Sequence, residues 1–96
     1  MLTHIVMVKI KPGTEREKVD RVISDLRGLP GRIPEIRGFE VGEDIVHSPR
    51  SFDFALVARF DDLAALKRYQ QHPDHVPVAA ALQALAGEMA SVDFTS

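Results

Sequence analysis

Short apolar runs of period two alternate along the chain with longer stretches of period 3.6, and their order predicts the elements. Residues 3 to 10 are rich in Val and Ile and stop at Lys11-Pro12-Gly13, which predicts a first strand. Alternation puts His4, Val6, Val8 and Ile10 on one face and Thr3, Ile5, Met7 and Lys9 on the other. Both faces are largely apolar, as in a strand covered on both sides. Thr14 with Glu17 reads as a capping box, followed by Val19, Val22, Ile23 and Leu26 at helical spacing up to Gly28. Leu29-Pro30-Gly31 ends this helix and Ile33-Pro34 keeps the connection irregular. Residues 36 to 45 then read as a second strand, with Phe39 and Val41 on one face. A polar loop, Glu43 to Ser51, precedes a third strand over residues 52 to 60, where Phe54, Leu56 and Ala58 face one way and Ala55, Val57 and Arg59 the other. Asp61 and Asp62 suit the N-cap of a helix with Leu63, Leu66 and Tyr69 on one side, halted by Pro73. Asp74 and Pro77 suit the first turn of a further helix with the stripe Val78, Ala81, Leu82 and Leu85 up to Gly87, and residues 88 to 95 read as a fourth strand.

Strand, helix, strand, strand, helix pair, strand is the split βαβ order of the ferredoxin-like α+β fold, a four-stranded antiparallel sheet with helices on one face. No shift in composition divides the 96 residues, so residues 1-96 are expected to form a single domain. The sheet face away from the helices would carry Ile5, Met7, Ala55, Val57, Ala90, Val92 and Phe94 among Lys9, Glu40 and Arg59, a set too apolar for water. Packing that face against its copy in a second subunit predicts a sheet-to-sheet homodimeric barrel.

Composition narrows the function classes. Twelve basic and fourteen acidic residues give a net charge of −2 without any Lys/Arg cluster, so neither nucleic acid nor a membrane surface is an expected partner. The absence of cysteine removes disulfides, thiol nucleophiles and thiolate metal sites. The first residues lack a basic lead and their apolar run breaks at Lys9, which leads to the expectation of a cytoplasmic protein. Chemistry concentrates in Tyr69-Gln70-Gln71-His72-Pro73-Asp74-His75, a phenol and two imidazoles around a proline. His72 and His75 with Asp74 supply too few convergent ligands, so no metal site is expected. His47 lies in a polar loop, and Asp61-Asp62 is a helix cap before it is an acid/base pair.

The opening His4-Ile5-Val6-Met7-Val8-Lys9-Ile10-Lys11, the segments Leu29-Pro30-Gly31-Arg32-Ile33-Pro34 and Phe39-Glu40-Val41-Gly42, the terminal Val92-Asp93-Phe94 and above all Tyr69 to His75 resemble the stress-responsive dimeric α/β-barrel (Dabb) domain family. The resemblance runs from the first strand to the last. It implies a homodimer in which two sheets share a barrel and each subunit keeps a pocket between sheet and helices. It implies no single function, since the family includes plant stress proteins, polyketide cyclases and proteins without an assigned activity. In the cyclase-like members a tyrosine and the second histidine of the motif carry the chemistry, and by position these roles fall on Tyr69 and His75. The chain departs from that pattern at Phe54, where a histidine stands in cyclase-like members, and at Ala79 and Ala86, which replace larger groups.

On one unbroken helix, side chains six residues apart diverge by about 120°, but Pro73 ends the helix and lets His75 turn back toward Tyr69. The inner faces predict a pocket lined by His4, Val6, Val8, Ile23, Leu26, Phe39, Phe54, Leu56, Val78 and Met89, with His4, Tyr69 and His75 as its polar points. The expected chemistry is proton abstraction alpha to the carbonyl of a small apolar ligand, with His75 as general base and Tyr69 stabilising the enolate oxygen. Such a cyclase or lyase step requires no cofactor. The alternative is a non-enzymatic dimeric stress-response or ligand-binding module in which His72 or His75 ties the helix junction through the backbone.

Overall fold

A computed structural model describes all residues from Met1 to Ser96. The elements are β1 (Leu2–Ile10), α1 (Arg16–Gly28), a 3₁₀ turn (Leu29–Gly31), β2 (Gly38–Glu43), β3 (Phe54–Phe60), α2 (Leu63–Gln71), α3 (Val76–Leu85) and β4 (Ala86–Thr95). The sheet has the order β2-β3-β1-β4, and each neighbouring pair is antiparallel. β3 therefore lies between β1 and β2, and β1 between β3 and β4, so the chain is two interlocked split βαβ units. This is the ferredoxin-like fold read from the order of patterns.

Register decides which side chains meet. His4 lies between Ala58 and Asp93, Val6 between Leu56 and Ser91, and Val8 between Phe54 and Met89. These residues share the face under the helices, where Val8 and Ala58 are fully buried against Val19, Val22, Ile23 and Leu26 of α1. On the opposite face no element of the chain covers Met7, Val92 and Phe94, which remain exposed beside Ile5 and Val57.

Several local expectations are corrected. Thr14 and Glu17 form no capping box; α1 starts one residue later than that box requires, with Glu15 as an N-cap lacking a side-chain bond. The Thr14 hydroxyl instead donates to the Lys11 carbonyl at 2.7 Å and closes the turn after β1. β2 is shorter than residues 36 to 45. At its start the Ile36 N–H turns back to the Ile33 carbonyl at 3.2 Å, and at its end Asp44 accepts the His47 N–H at 2.6 Å around a left-handed residue, φ 56° at His47. β3 begins at Phe54 because the Asp53 carboxylate is drawn to the Ile10 N–H at 2.6 Å. Leu63 does not belong to the buried stripe of α2, which is Ala65, Leu66 and Tyr69. Ala81 is likewise exposed on α3, and β4 starts at Ala86 rather than after Gly87.

Candidate functional site

Tyr69 is fixed by the start of its own helix. Asp62 accepts the Ala65 N–H at 2.9 Å, capping α2 and setting the rotation that turns Ala65, Leu66 and Tyr69 inward. The Tyr69 ring packs on Phe60 with centroids 4.9 Å apart. Two residues past α2 Pro73 forbids continuation, and His72 turns to extended backbone with ψ 135°. The break is held by the His72 imidazole, whose Nδ1 accepts the Asp74 N–H at 3.0 Å, and by the His75 N–H donating to the His72 carbonyl at 2.9 Å. The chain thus doubles back, and the His75 ring lies 4.3 Å from that of Tyr69, tilted by 48°. Without the break the two would diverge.

The surroundings of each group fix its protonation. His75 Nδ1 lies 3.0 Å from the Gln70 carbonyl oxygen, which only accepts, so Nδ1 carries the proton and Nε2 keeps its lone pair. Burial pushes the His75 pKa below its ordinary value; the bond to Gln70 opposes this, and His4 and His72 add to it. Burial pushes the Tyr69 phenol up to about 12, so it stays protonated. The hydroxyl has no partner in the chain and no buried polar side-chain atom is left unsatisfied, so the O–H opens onto free space. The third polar group, His4, bonds through Nδ1 to the Asp93 carboxylate across the β1–β4 ladder. The carboxylate accepts, which leaves Nε2 as the outward nitrogen of His4.

His4, Tyr69 and His75 line one cavity of about 140 Å³. Val6, Leu26, Leu56 and Met89 line it too, as the inner faces predict, together with Gln70, Ala79, Leu82 and Gln83. Val8 and Phe54 do not reach it, because they form a cross-strand pair one step further along the sheet and are closed into the core. Ile23 is consumed in the buried stripe of α1, Phe39 packs on the core at the far edge strand, and Val78 faces a separate groove beside Asp25 and Arg32. Phe54, a departure from the cyclase-like pattern, is thus a core residue here and does not line the cavity, whereas Ala79, another departure, does. Two features of the site went unread in the sequence. Asp93 was legible in principle, since it alternates with Val92 and Phe94 and so shares the face of His4 once β4 pairs with β1. Gln70 and Gln83 carry no sequence signal that separates them from solvent-facing helix positions.

No group of three or more His, Asp or Glu side chains is placed to hold a metal ion. His72 and Asp74 instead face each other across the helix break, with His72 Nδ1 engaged by the backbone. No helix is long and apolar enough to cross a membrane.

The family model described as "Stress responsive A/B Barrel Domain" matches residues 2–96. An uncharacterized protein of Streptomyces coelicolor is 37% identical over 78 residues, covering 78% of this chain and 79% of its own. A stress-response A/B barrel domain-containing protein of Arabidopsis thaliana is 31% identical over 94 residues, covering 95% of this chain and 82% of its own. Among solved structures, a dimeric ferredoxin-like protein of unknown function from Thermobifida fusca superposes with a TM-score of 0.90 at 29% identity, over 99% of this chain and 90% of that one. A hydroxynitrile lyase from Passiflora edulis reaches a TM-score of 0.88 at 18% identity, over 97% and 90% of the two chains, a likeness of fold alone.

Proposed function

This chain belongs to the stress-responsive A/B barrel (Dabb) family, and from that membership and the cavity we propose a cofactor-independent lyase-type enzyme acting on a small carbonyl compound. One observation carries the reading: a neutral imidazole and a protonated phenol converge on one small cavity. His75 Nε2 takes a proton from the carbon alpha to the carbonyl, and the Tyr69 O–H donates to the oxygen on which the enolate charge develops. The apolar walls Val6, Leu26, Leu56 and Leu82 hold the carbon skeleton.

Volume selects among carbonyl substrates. An engineered apolar cavity of about 150 Å³ admits a benzene ring, so about 140 Å³ takes a compound of roughly six heavy atoms. The name of the Passiflora neighbour, a lyase, agrees with this class without assigning a substrate. The uncovered face of the sheet and the dimeric neighbour support a sheet-to-sheet homodimer as the working unit.

The test is exchange of the alpha protons of butan-2-one in D₂O, followed by proton NMR. The protein is expected to accelerate exchange over buffer, and His75→Ala to lower the rate by about 10²- to 10⁴-fold with the fold intact. Equal rates for protein and buffer would sink the enzyme reading. A second reading has its own support, since His72 and His75 both bond to backbone at the helix junction and serve it structurally. In that non-enzymatic module His75→Ala costs stability and no ketone is turned over.

A further inference from the structure

The base and the oxyanion donor do not account for the third polar group of the cavity. His4 is 9% exposed, and the only carboxylate that faces it is Asp93, its register partner on β4. From the other elements around it, His4 meets Tyr69 of α2 and His75 at the start of α3, while Leu26 of α1 and Ala58 of β3 are apolar. An imidazole placed by a carboxylate at Nδ1, with Nε2 toward a cavity, is built for proton transfer at Nε2. A second such imidazole in the same cavity as a base has a use only if the substrate carries a second oxygen.

We infer that Asp93 positions His4 as a general acid, so that the substrate class is the small β-hydroxycarbonyl compound and the reaction is elimination of water. The inference rests on the reading of His75 as alpha-proton base and extends it to the leaving group. His75 Nε2 takes the proton from the alpha carbon, and the electron pair moves into the enolate held by Tyr69. The enolate collapses to the conjugated enone as the bond between the beta carbon and oxygen breaks. The electron pair of that bond leaves with the hydroxyl, which takes a proton from His4 Nε2 and departs as water. The Asp93 carboxylate balances the charge of the imidazolium that donates. His75 then returns its proton to His4 through solvent, so neither cofactor nor co-reactant enters. A six-heavy-atom member of the class, 4-hydroxybutan-2-one, matches the cavity volume of about 140 Å³.

Two rates on this probe separate the roles. Deuterium exchange at its alpha carbon reports the base, and formation of but-3-en-2-one reports the base and the acid together. Asp93→Ala is expected to lower elimination at least about tenfold more than exchange, less than the roughly 10²- to 10⁴-fold that a proton-transfer group itself contributes, because His4 is still present. Asp93→Glu, which returns a carboxylate, is expected to recover part of the loss. Nitrogen-15 spectra of the ligand-free protein, recorded at alkaline pH where the imidazole has given up the proton it donates, should show the remaining proton of His4 on Nδ1 in the wild type and a mixture of tautomers in Asp93→Ala. Exchange without elimination in the wild type overturns this inference and leaves the base standing, whereas absence of exchange removes both. Equal losses of exchange and elimination in Asp93→Ala, or a His4 tautomer that ignores the substitution, also overturn it.

Discussion

His75 shows how one side chain answers both structural and chemical demands. Its Nδ1–H bond to the Gln70 carbonyl ties the end of α2 to the start of α3, and the same bond leaves Nε2 unprotonated. The structural role therefore prepares the base rather than competing with it. Because burial lowers its pKa in the folded chain below the ordinary 6.5, the native protein holds the neutral form where the unfolded chain takes up a proton. The sign follows: stability from neutral His75 is fully present above pH 6.5 and is lost as pH falls through the depressed folded value. Alpha-proton exchange should accordingly keep its plateau below pH 6.5 before its acid limb, and His75→Ala should flatten the acid dependence of urea stability. An acid limb above pH 6.5 would contradict the burial argument. At Tyr69, whose phenol stays protonated up to about pH 12, replacement by Phe should lower exchange by about 10²- to 10³-fold as for an oxyanion donor, with no basic limb near neutrality to explain the loss.

Helix ends are where sequence patterns mislead and where they matter to the site. Asp62 and Thr14 both look like N-caps, yet only Asp62 accepts an N–H of its helix, while the Thr14 hydroxyl donates back into the turn before α1. Asp62→Ala should cost about 1 kcal/mol and Thr14→Ala markedly less, measured by urea unfolding. Equal losses would mean that Thr14 caps α1 after all. Since Asp62 sets the rotation of α2, its loss should also weaken exchange through Tyr69. The same contrast explains what was legible beforehand. Stripes with long apolar repeats, such as Val19, Val22, Ile23 and Leu26, read correctly because burial of one face dominates every local preference. The Tyr69 to His75 convergence was legible because Pro73 must end a helix. The pairing of Asp93 with His4 and the extent of the cavity wall were not read, because they depend on cross-strand register, which no local pattern states: one pair further along the sheet, Val8 and Phe54 are core rather than wall.

For the whole molecule the unresolved load is the bare sheet face. Met7, Val92 and Phe94 are exposed there while the other face of β1 and β3 closes the core. The long dimensions of the subunit, 36 × 27 Å, give this face room for the roughly 800 Å² that each partner buries in a standard interface. Val57 is the sharpest probe because it lies mid-strand, paired in register with Ile5 on one side and Glu40 on the other. Aspartate at this position adds a second carboxylate beside Glu40, and burying it between two sheets costs about 3 to 5 kcal/mol as an uncompensated charge. Val57→Asp should therefore sediment as a monomer of lowered thermal stability, whereas a variant that stays dimeric would sink the sheet-to-sheet arrangement. The consequence reaches the site through β4, whose side chains alternate between the two faces. A partner packed on Val92 and Phe94 holds the strand that carries Asp93 against His4, so the monomeric variant should lose elimination more than alpha-proton exchange, whose base and oxyanion donor both sit on α2 and the start of α3.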